Sequence, residues 1–119
     1  MLFGRHTSKQ IGDTAEEKAV TYLLKAGLKI IERNYRAKTG EIDIIAKDKD
    51  AVVFVEVKFR RNSSFGQPYE SVTYQKQQKI IRTAQYFLQK NRKHSNKSCR
   101  FDIISILDNE ITWLKNAFS

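Results

Sequence analysis

Two short runs decide the fold of this chain: GEIDII at residues 40–45 and VFVEVK at residues 53–58. Residues 51–59, AVVFVEVKF, are almost all β-branched or aromatic, which is the pattern of a strand covered on both faces. A carboxylate and an ammonium inside such a strand each carry a large desolvation cost unless they are compensated. Because side chains alternate along a strand, Glu56 and Lys58 must point to the same face.

The two runs are predicted to pair as an antiparallel hairpin across a short polar turn. In the predicted register, Ala46 pairs with Ala51. Asp43 then lies opposite Phe54, and Glu56 is its diagonal neighbour at roughly 7 Å or less between Cβ atoms. Converging carboxylates repel unless a cation lies between them, and hard divalent ions take oxygen ligands. The hairpin therefore predicts a metal site at Asp43 and Glu56 with a lysine beside it.

A solvated strand face is the alternative interpretation of these charges. Val52, Phe54 and Glu56 share one face, so the charges follow an apolar strand instead of alternating with it, and this favours the buried cluster. The register matters equally. A one-residue slip or a bulge would put Asp43 and Glu56 on opposite faces and remove the site.

Composition indicates an ordinary globular protein. The 119 residues suffice for one domain, 1–119, of which 40% are hydrophobic and 29% charged. No apolar run approaches the roughly 20 residues that a bilayer requires, and the N-terminus lacks the apolar segment of a secretory signal. Cys99 is the only cysteine, which excludes an intramolecular disulfide. We therefore expect a cytoplasmic protein without a membrane partner.

The charge of the chain favours a polyanionic partner. Lysine and arginine number 22 against 13 acidic residues, which gives a net charge of +9. Such a balance is typical of nucleic-acid binders, and no basic helix here has the large aromatic apolar face of a membrane-surface helix. The cations that flank the two acidic runs or lie on the second helix are predicted to contact nucleic acid: Arg36, Lys38, Arg60, Arg61, Lys76 and Lys79.

The pattern of apolar residues and turn signals predicts the element order αβββαββ, a mixed central sheet flanked by helices. Residues 1–7 are expected to form a flexible basic arm. The predicted elements are a helix at 9–26, a strand at 28–35, the two charged strands, a loop at 62–69, a helix at 72–91, a polar loop at 92–99, and strands at 100–107 and 111–114.

Four residues suit a metal-dependent phosphodiesterase, which needs a divalent ion to polarise phosphate and activate water. Asp43 and Glu56 could bind the ion, and Lys58 could orient water or offset the developing charge. Glu16 could complete the set if the first helix packs over the sheet. The alternative for Glu16 is structural, because Asp13-x-x-Glu16 is also a helix capping box.

At these residues the chain resembles the PD-(D/E)xK nuclease superfamily, the restriction-endonuclease-like fold that includes archaeal Holliday-junction resolvases. The closer resemblance is to the YraN family of bacterial proteins, which has no well-defined role. It covers nearly the whole chain and is carried by Gly12, Ala15-Glu16, Tyr22-Leu23, Gly27, Arg33-Asn34, the GEID run at 40–43, the FVEVK run at 54–58, Arg60, Phe65-Gly66, Lys76 and Arg100-Phe101-Asp102.

The resemblance implies a restriction-endonuclease-like mixed sheet with Mg²⁺ or Mn²⁺ as the cofactor. Asp43 and Glu56 would be the metal ligands, with the Val57 carbonyl contributing. Lys58 would be the superfamily lysine, and Glu16 the helix glutamate of resolvase-like members. DNA is then favoured over RNA as the partner.

Three functions remain open from the sequence. The first is a Mg²⁺- or Mn²⁺-dependent endonuclease that hydrolyses DNA, branched DNA included, and a homodimer is expected if both strands of a duplex are cut. The second is a nucleic-acid-binding module on the same fold that does not cleave. The third is an adaptor whose charge only keeps it in solution. Asp102, in a hydrophobic strand, is predicted to pair with an arginine in a structural role.

Overall fold

The computed structural model describes residues 8–95 and 97–119, with side chains from Thr14 onward. The predicted basic arm, residues 1–7, lies outside the described residues. The elements are α1 (Ser8–Lys25), β1 (Lys29–Ala37), β2 (Gly40–Asp48), β3 (Ala51–Arg60), α2 (Tyr74–Lys90), β4 (Cys99–Leu107) and β5 (Glu110–Phe118), with short 3-10 helices at Pro68–Ser71 and Arg92–His94. The predicted order αβββαββ is confirmed.

The five strands form one mixed sheet in the order β1-β2-β3-β4-β5. Neighbouring strands are antiparallel except β3 and β4, which are parallel. A parallel pair requires a long crossover connection, and here the crossover contains α2. No helix in the described part of the chain is long and apolar enough to cross a membrane.

Each face of the sheet carries one helix over its own apolar cluster. On one side α1 packs on a cluster that includes Val53 and Val55. On the other side α2 packs on a cluster that includes Val52 and Phe54. All four of these β3 residues are fully buried, which confirms the prediction of a strand covered on both faces.

The register of the β2–β3 hairpin differs from the predicted one by two residues. Ala46 pairs with Val53, so the predicted pairing of Ala46 with Ala51 is wrong. The turn is a two-residue loop at residues 49–50, and Lys49 has a φ of 55°. Two-residue loops with positive φ match the twist of the flanking strands, and the hairpin therefore closes more tightly than predicted.

A second consequence of this register concerns the two carboxylates. Phe54 pairs with Ile45, so the predicted placement of Phe54 opposite Asp43 is also wrong. The ladder ends at Ile44 and Val55, so Asp43 and Glu56 are the residues that directly follow its last pair. They interact there, which agrees with the predicted convergence of the carboxylates.

Helix α1 ends where glycine allows the chain to reverse. Gly27 has a φ of 95°, in the left-handed region that favours glycine as a helix stop. Ala15, Ala19 and Leu23 are buried against the sheet. The predicted helix end at residue 26 is one residue too far, because the helix ends at Lys25 and Ala26 is exposed.

Helix α2 begins two residues later than predicted, and its first turn is fixed by a cap. The Thr73 side chain accepts a hydrogen bond from the backbone N–H of Lys76 at 3.2 Å. Such a cap satisfies an N–H group that has no partner within the helix. Ile80 and Phe87 on the inner face of the helix are buried. The cap thereby fixes the position of Lys76 in the first turn of the helix.

Asp102 ties β4 to β5 and, through Arg100, to β2. Its fully buried carboxylate accepts hydrogen bonds from Arg100 Nε at 3.1 Å, from Trp113 Nε1 at 2.8 Å and from the Asn116 N–H at 2.9 Å. Arg100 also donates to Asp48 on β2 at 2.9 Å. The predicted pairing of Asp102 with an arginine is confirmed.

Replacing Asp102 with alanine is expected to lower the free energy of unfolding by about 2–5 kcal/mol, because Trp113 Nε1 and the Asn116 N–H lose their acceptor and Arg100 keeps only Asp48 as a counter-charge. The measurement is urea denaturation at neutral pH. Glu110→Ala, at an exposed position on β5, should change the free energy by no more than about 0.5 kcal/mol. Equal midpoints for the two variants would contradict the assigned structural role.

Candidate active site

The site forms where the ladder between β2 and β3 stops. Ile44 and Val55 are the last paired residues, and beyond them the strands separate. Asp43 lies at this separation, and its Oδ2 accepts the backbone N–H of Val57 at 2.8 Å. The carboxylate therefore occupies the position of a backbone acceptor, which fixes it in the gap between the strands.

Strand β2 also departs from simple alternation at Asp43. Ile42 packs with Ile45 in the cluster under α2, although strict alternation would put it with Ile44 on the α1 side. The change of face falls at the residue that binds across to β3. The local irregularity and the end of the ladder thus share one position.

Glu56 is buried and held by two lysines. Only 4% of the residue is exposed, and its Oε2 lies 2.9 Å from Lys76 Nζ and 3.5 Å from Lys58 Nζ. Lys58 follows on the same face of β3, as predicted. Lys76 contacts Glu56 from the first turn of α2, and its predicted contact to nucleic acid stays a prediction. A buried carboxylate requires such compensation.

The environment of Asp43 disfavours its ionised form. Burial, then the charge of the adjacent Glu56, raises the pKa of Asp43 to about 8, against an ordinary value of 3.8. The Val57 N–H acts in the opposite direction, and the more distant Glu16 adds to the increase. Two carboxylates that destabilise each other's charge are poised to accept a cation.

The pKa values of Lys58 and Lys76 are shifted in opposite directions. Burial, followed by the contact with Lys76, lowers the pKa of Lys58 below its ordinary value. Burial would lower the pKa of Lys76 as well, but the contacts with Lys58 and Glu56 outweigh burial and raise it. Lys76 is therefore the firmer counter-charge of Glu56, and Lys58 is the amine more readily deprotonated.

Helix α1 brings Glu16 toward this cluster. Its buried carboxylate accepts hydrogen bonds from Arg33 Nε at 3.2 Å and from Asn34 Nδ2 at 3.0 Å. The helix begins five residues before Asp13, so Asp13 is not its N-cap and the capping-box alternative is wrong. The negative charge of Glu16 contributes to the raised pKa of Asp43.

Arg33 and Asn34 were not among the predicted site residues. They lie on β1, 17 and 18 residues after Glu16, and no spacing rule joins a helix residue to a strand residue at that separation. The backbone of Asn34 has a φ of 53°, which asparagine tolerates better than most residues. The signal that could have indicated these two residues is an asparagine that directly follows an arginine within a predicted strand.

Three of the predicted cations gather at the β1–β2 turn. Arg36 is exposed and pairs with Glu41 at 3.0 Å. Lys38 lies in the turn itself, and the Cβ of Lys79 is 3.7 Å from the position that a Cβ on Gly40 would take. Helix α2 thus carries Lys79 beside the turn, one helical turn beyond Lys76.

The other predicted cations lie where β3 ends. The Arg60 guanidinium donates to the backbone carbonyls of Phe65 and Gly66 and so organises the loop that follows. Arg61 is exposed. Arg60 therefore stabilises this loop, and Arg61 presents its charge to solvent; the contacts of both with nucleic acid stay predictions.

The donor set fits a hard divalent cation that is held by few protein ligands. Among the described residues there is no group of three or more His, Cys, Asp or Glu that could hold a metal ion. Mg²⁺ is commonly bound through only one or two carboxylates plus substrate phosphates, because it keeps several waters. Asp43 and Glu56 supply that number of carboxylates.

Comparison with known proteins places the chain in a family. The uncharacterised protein family UPF0102 matches residues 15–106, and the chain belongs to it. A UPF0102 protein of Clostridioides difficile is 50% identical over 113 residues, covering 93% of this chain and 98% of the relative. Another from Coxiella burnetii is 49% identical over 111 residues, covering 92% of both. The predicted membership of an uncharacterised bacterial family is confirmed.

Two solved structures are more distant. The EndoMS–dsDNA2 complex has 16% identity and a TM-score of 0.42 over 89% of this chain. A repair endonuclease from Pyrococcus abyssi has 14% identity and a TM-score of 0.38 over 92%. The chain spans 39% and 42% of these larger proteins, and likenesses this remote assign no activity to it.

The Asp43 carboxylate makes the metal-free protein less stable as pH rises. Between pH 3.8 and about 8 the folded state keeps a proton that the unfolded state has released, so the free energy of unfolding falls across this window. We expect Asp43→Asn to flatten this slope. At pH 8 it should raise the free energy of unfolding by on the order of 1–3 kcal/mol, since one pKa unit corresponds to about 1.4 kcal/mol and the weaker hydrogen bond of the Val57 N–H to a neutral amide offsets part of the gain.

The measurement is urea denaturation with a chelator present, from pH 4 to pH 8.5. Glu41→Gln, which removes an exposed carboxylate two residues away, should keep the slope of the unaltered protein. A parallel slope in Asp43→Asn would show that Asp43 is ionised throughout.

Proposed function

We propose that this UPF0102 protein is a Mg²⁺- or Mn²⁺-dependent endonuclease that hydrolyses phosphodiester bonds in DNA, branched DNA included. The observation that carries the proposal is the convergence of Asp43 and Glu56 beside Lys58 where β2 and β3 separate. A protein that only bound DNA would have no use for acids among its cations, because carboxylates repel phosphate. Carboxylates that share a divalent ion with phosphate attract it instead.

Asp43 and Glu56 would hold the ion, with the Val57 carbonyl as a third donor. When bound, the ion would supply Lewis-acid polarisation of the phosphate and activation of water. Lys58 would remain beside Glu56 and offset the negative charge that develops on the phosphate oxygens. Its position two residues beyond Glu56 on the same face keeps it near the reacting phosphate without making it a ligand.

Glu16 has a positioning role in this proposal. Its buried carboxylate is engaged by Arg33 and Asn34, and its charge acts on Asp43 from the α1 side. The pair of Glu16 and Arg33 closes one side of the site. The exposed cations Lys38, Lys79 and Arg61 would hold the DNA backbone outside it.

The second candidate function is a nucleic-acid-binding module that does not cleave. It is favoured by one contact, the 2.9 Å ion pair between Lys76 Nζ and Glu56 Oε2. In that function the ammonium groups of Lys76 and Lys58 take the place of the metal. The two functions differ in what Lys76→Ala does: a nuclease binds metal with Lys76 present, whereas a module gains metal binding only after its removal.

Cleavage is tested with purified protein and Mg²⁺ or Mn²⁺ on single-stranded, duplex, flap and four-way-junction DNA. We expect metal-dependent product from the unaltered protein. Asp43→Asn should lose both metal binding and cleavage, because one ligand is removed. Lys58→Ala should lose cleavage by a factor of at least about 100, since one charge-stabilising donor is commonly worth 100-fold or more, while metal still raises its melting temperature.

Glu41→Gln is the matched control and should cleave normally. Product that persists in both Asp43→Asn and Lys58→Ala would identify a contaminating nuclease. No product on any substrate, together with a metal-induced rise in melting temperature only in Lys76→Ala, would establish the binding module instead.

Affinity for DNA is expected to fall steeply with salt. If about four phosphates are neutralised, raising salt from about 50 to 200 mM should weaken binding on the order of 100-fold. Fluorescence anisotropy with a chelator present measures binding without cleavage. Lys79→Ala should reduce the salt slope by about one, whereas Lys93→Ala, beyond the other end of α2, should leave it unchanged. A salt-independent affinity would contradict electrostatic binding.

A further inference from the structure

Exposed aromatic rings are concentrated in the segment that joins β3 to α2. Among the described residues six large apolar side chains are exposed, and half of them lie in residues 61–74, here called the aromatic segment. Phe65 is 88% exposed, Tyr74 72% and Tyr69 40%. A phenylalanine this exposed gains nothing from burial, and three such rings in 14 residues go beyond scattered surface apolar residues.

The backbone under Phe65 is well organised although its ring is exposed. The Arg60 guanidinium donates to the carbonyls of Phe65 and Gly66, and the Gly66 N–H donates to Ser63 O at 3.0 Å. The Ser64 N–H donates to Asn62 Oδ1 at 3.0 Å. The ring therefore projects from a fixed turn, so little conformational entropy is lost when a flat partner binds it.

The aromatic segment is held at the candidate active site at Tyr69 and at its C-terminal end. The Tyr69 N–H donates to Ser105 Oγ at 3.1 Å, and Ser105 is the β4 partner of Lys58. At the other end, Tyr74 begins α2 two residues before Lys76, which contacts Glu56. A nucleic acid with its phosphate at Lys58 would have its neighbouring bases beside these rings.

The charge around Phe65 indicates what kind of partner suits it. A cavity of about 430 Å³ is lined by Arg60, Arg61, Asn62 and Phe65, within the range of roughly 300–1,000 Å³ typical of ligand sites. Cationic and aromatic side chains together match a nucleotide, whose base stacks and whose phosphate is anionic. A purely apolar protein partner would not require the arginines.

We propose that Phe65 and Tyr74 stack on unpaired bases next to the phosphate held at Lys58, so that the protein prefers DNA in which base pairing is interrupted. This inference rests on the proposed binding of nucleic acid and specifies its substrate class. Bases inside a duplex are stacked on their neighbours, and their faces are available only where a strand is single, bulged or branched.

The test uses 2-aminopurine, a fluorescent base, in DNA oligonucleotides at low salt with a chelator present, so that no cleavage is needed. The base is placed in a single strand, in a one-nucleotide bulge or in a paired duplex position. We expect the unaltered protein to change the fluorescence of the unpaired base and not of the paired one. Phe65→Leu should weaken binding to the single strand and the bulge by about 5- to 100-fold and leave duplex binding unchanged.

Two further variants make the test specific to stacking. Phe65→Trp should restore binding to unpaired DNA, because it restores an aromatic face. Tyr86→Leu is the matched control, an exposed ring on α2 roughly 18 Å along the helix from Tyr74, and it should bind as the unaltered protein does. Both positions, Phe65 and Tyr86, are exposed, so the melting temperature should not change in any of the three variants.

Equal losses of Phe65→Leu on duplex and single strand, or no loss on either, would overturn the stacking role while leaving nucleic-acid binding intact. Failure of Phe65→Trp to restore binding would overturn it as well. No binding to any oligonucleotide at low salt would contradict the proposed function together with the inference.

Discussion

The hydrogen bond from the Val57 N–H to Asp43 Oδ2, 2.8 Å long, is the contact on which the site depends. In this bond a side-chain oxygen takes the place of a backbone carbonyl of β2 as the acceptor. The β2–β3 ladder therefore ends here, and the carboxylate is buried between the strands. Burial, and then the charge of the adjacent Glu56, keep the pKa of Asp43 high. An apolar residue at position 43 would remove this acceptor and leave the Val57 N–H without its observed partner.

The rest of the site follows from compensating this burial. Glu56 is neutralised by Lys58 on its own strand and by Lys76 on the crossover helix, so the position of α2 is tied to the chemistry of β3. The Thr73 cap fixes where α2 begins and thus where Lys76 reaches. The crossover that makes β3 and β4 parallel also brings the aromatic segment back beside Lys58. The crossover between β3 and β4 therefore determines the sheet topology and also carries residues of the candidate site.

Sequence alone predicted the element order, the doubly covered β3 and the residues of the carboxylate pair, because these depend on periodicity and local spacing. It missed the register by two residues. Residues 47–50 are compatible with a four-residue turn as well as with the observed two-residue turn, in which Lys49 has a positive φ. Sequence alone did not predict the contact of Lys76 with Glu56, because helix periodicity gives the face of a lysine but not which buried acid lies under it. Arg33 and Asn34 were missed for the same reason, being long-range partners of Glu16.

The central claim is that Asp43 and Glu56 form a divalent-cation site, and paramagnetic broadening by Mn²⁺ tests it most directly. In NMR spectra of the isotopically labelled protein, substoichiometric Mn²⁺ should first broaden the backbone amide signals of Ile44 and Val57, and excess Mg²⁺ should restore them. The signal of Lys49, at the other end of the same hairpin, should stay sharp. Broadening that begins elsewhere, or that persists unchanged in an Asp43→Asn, Glu56→Gln double variant, would contradict the assignment.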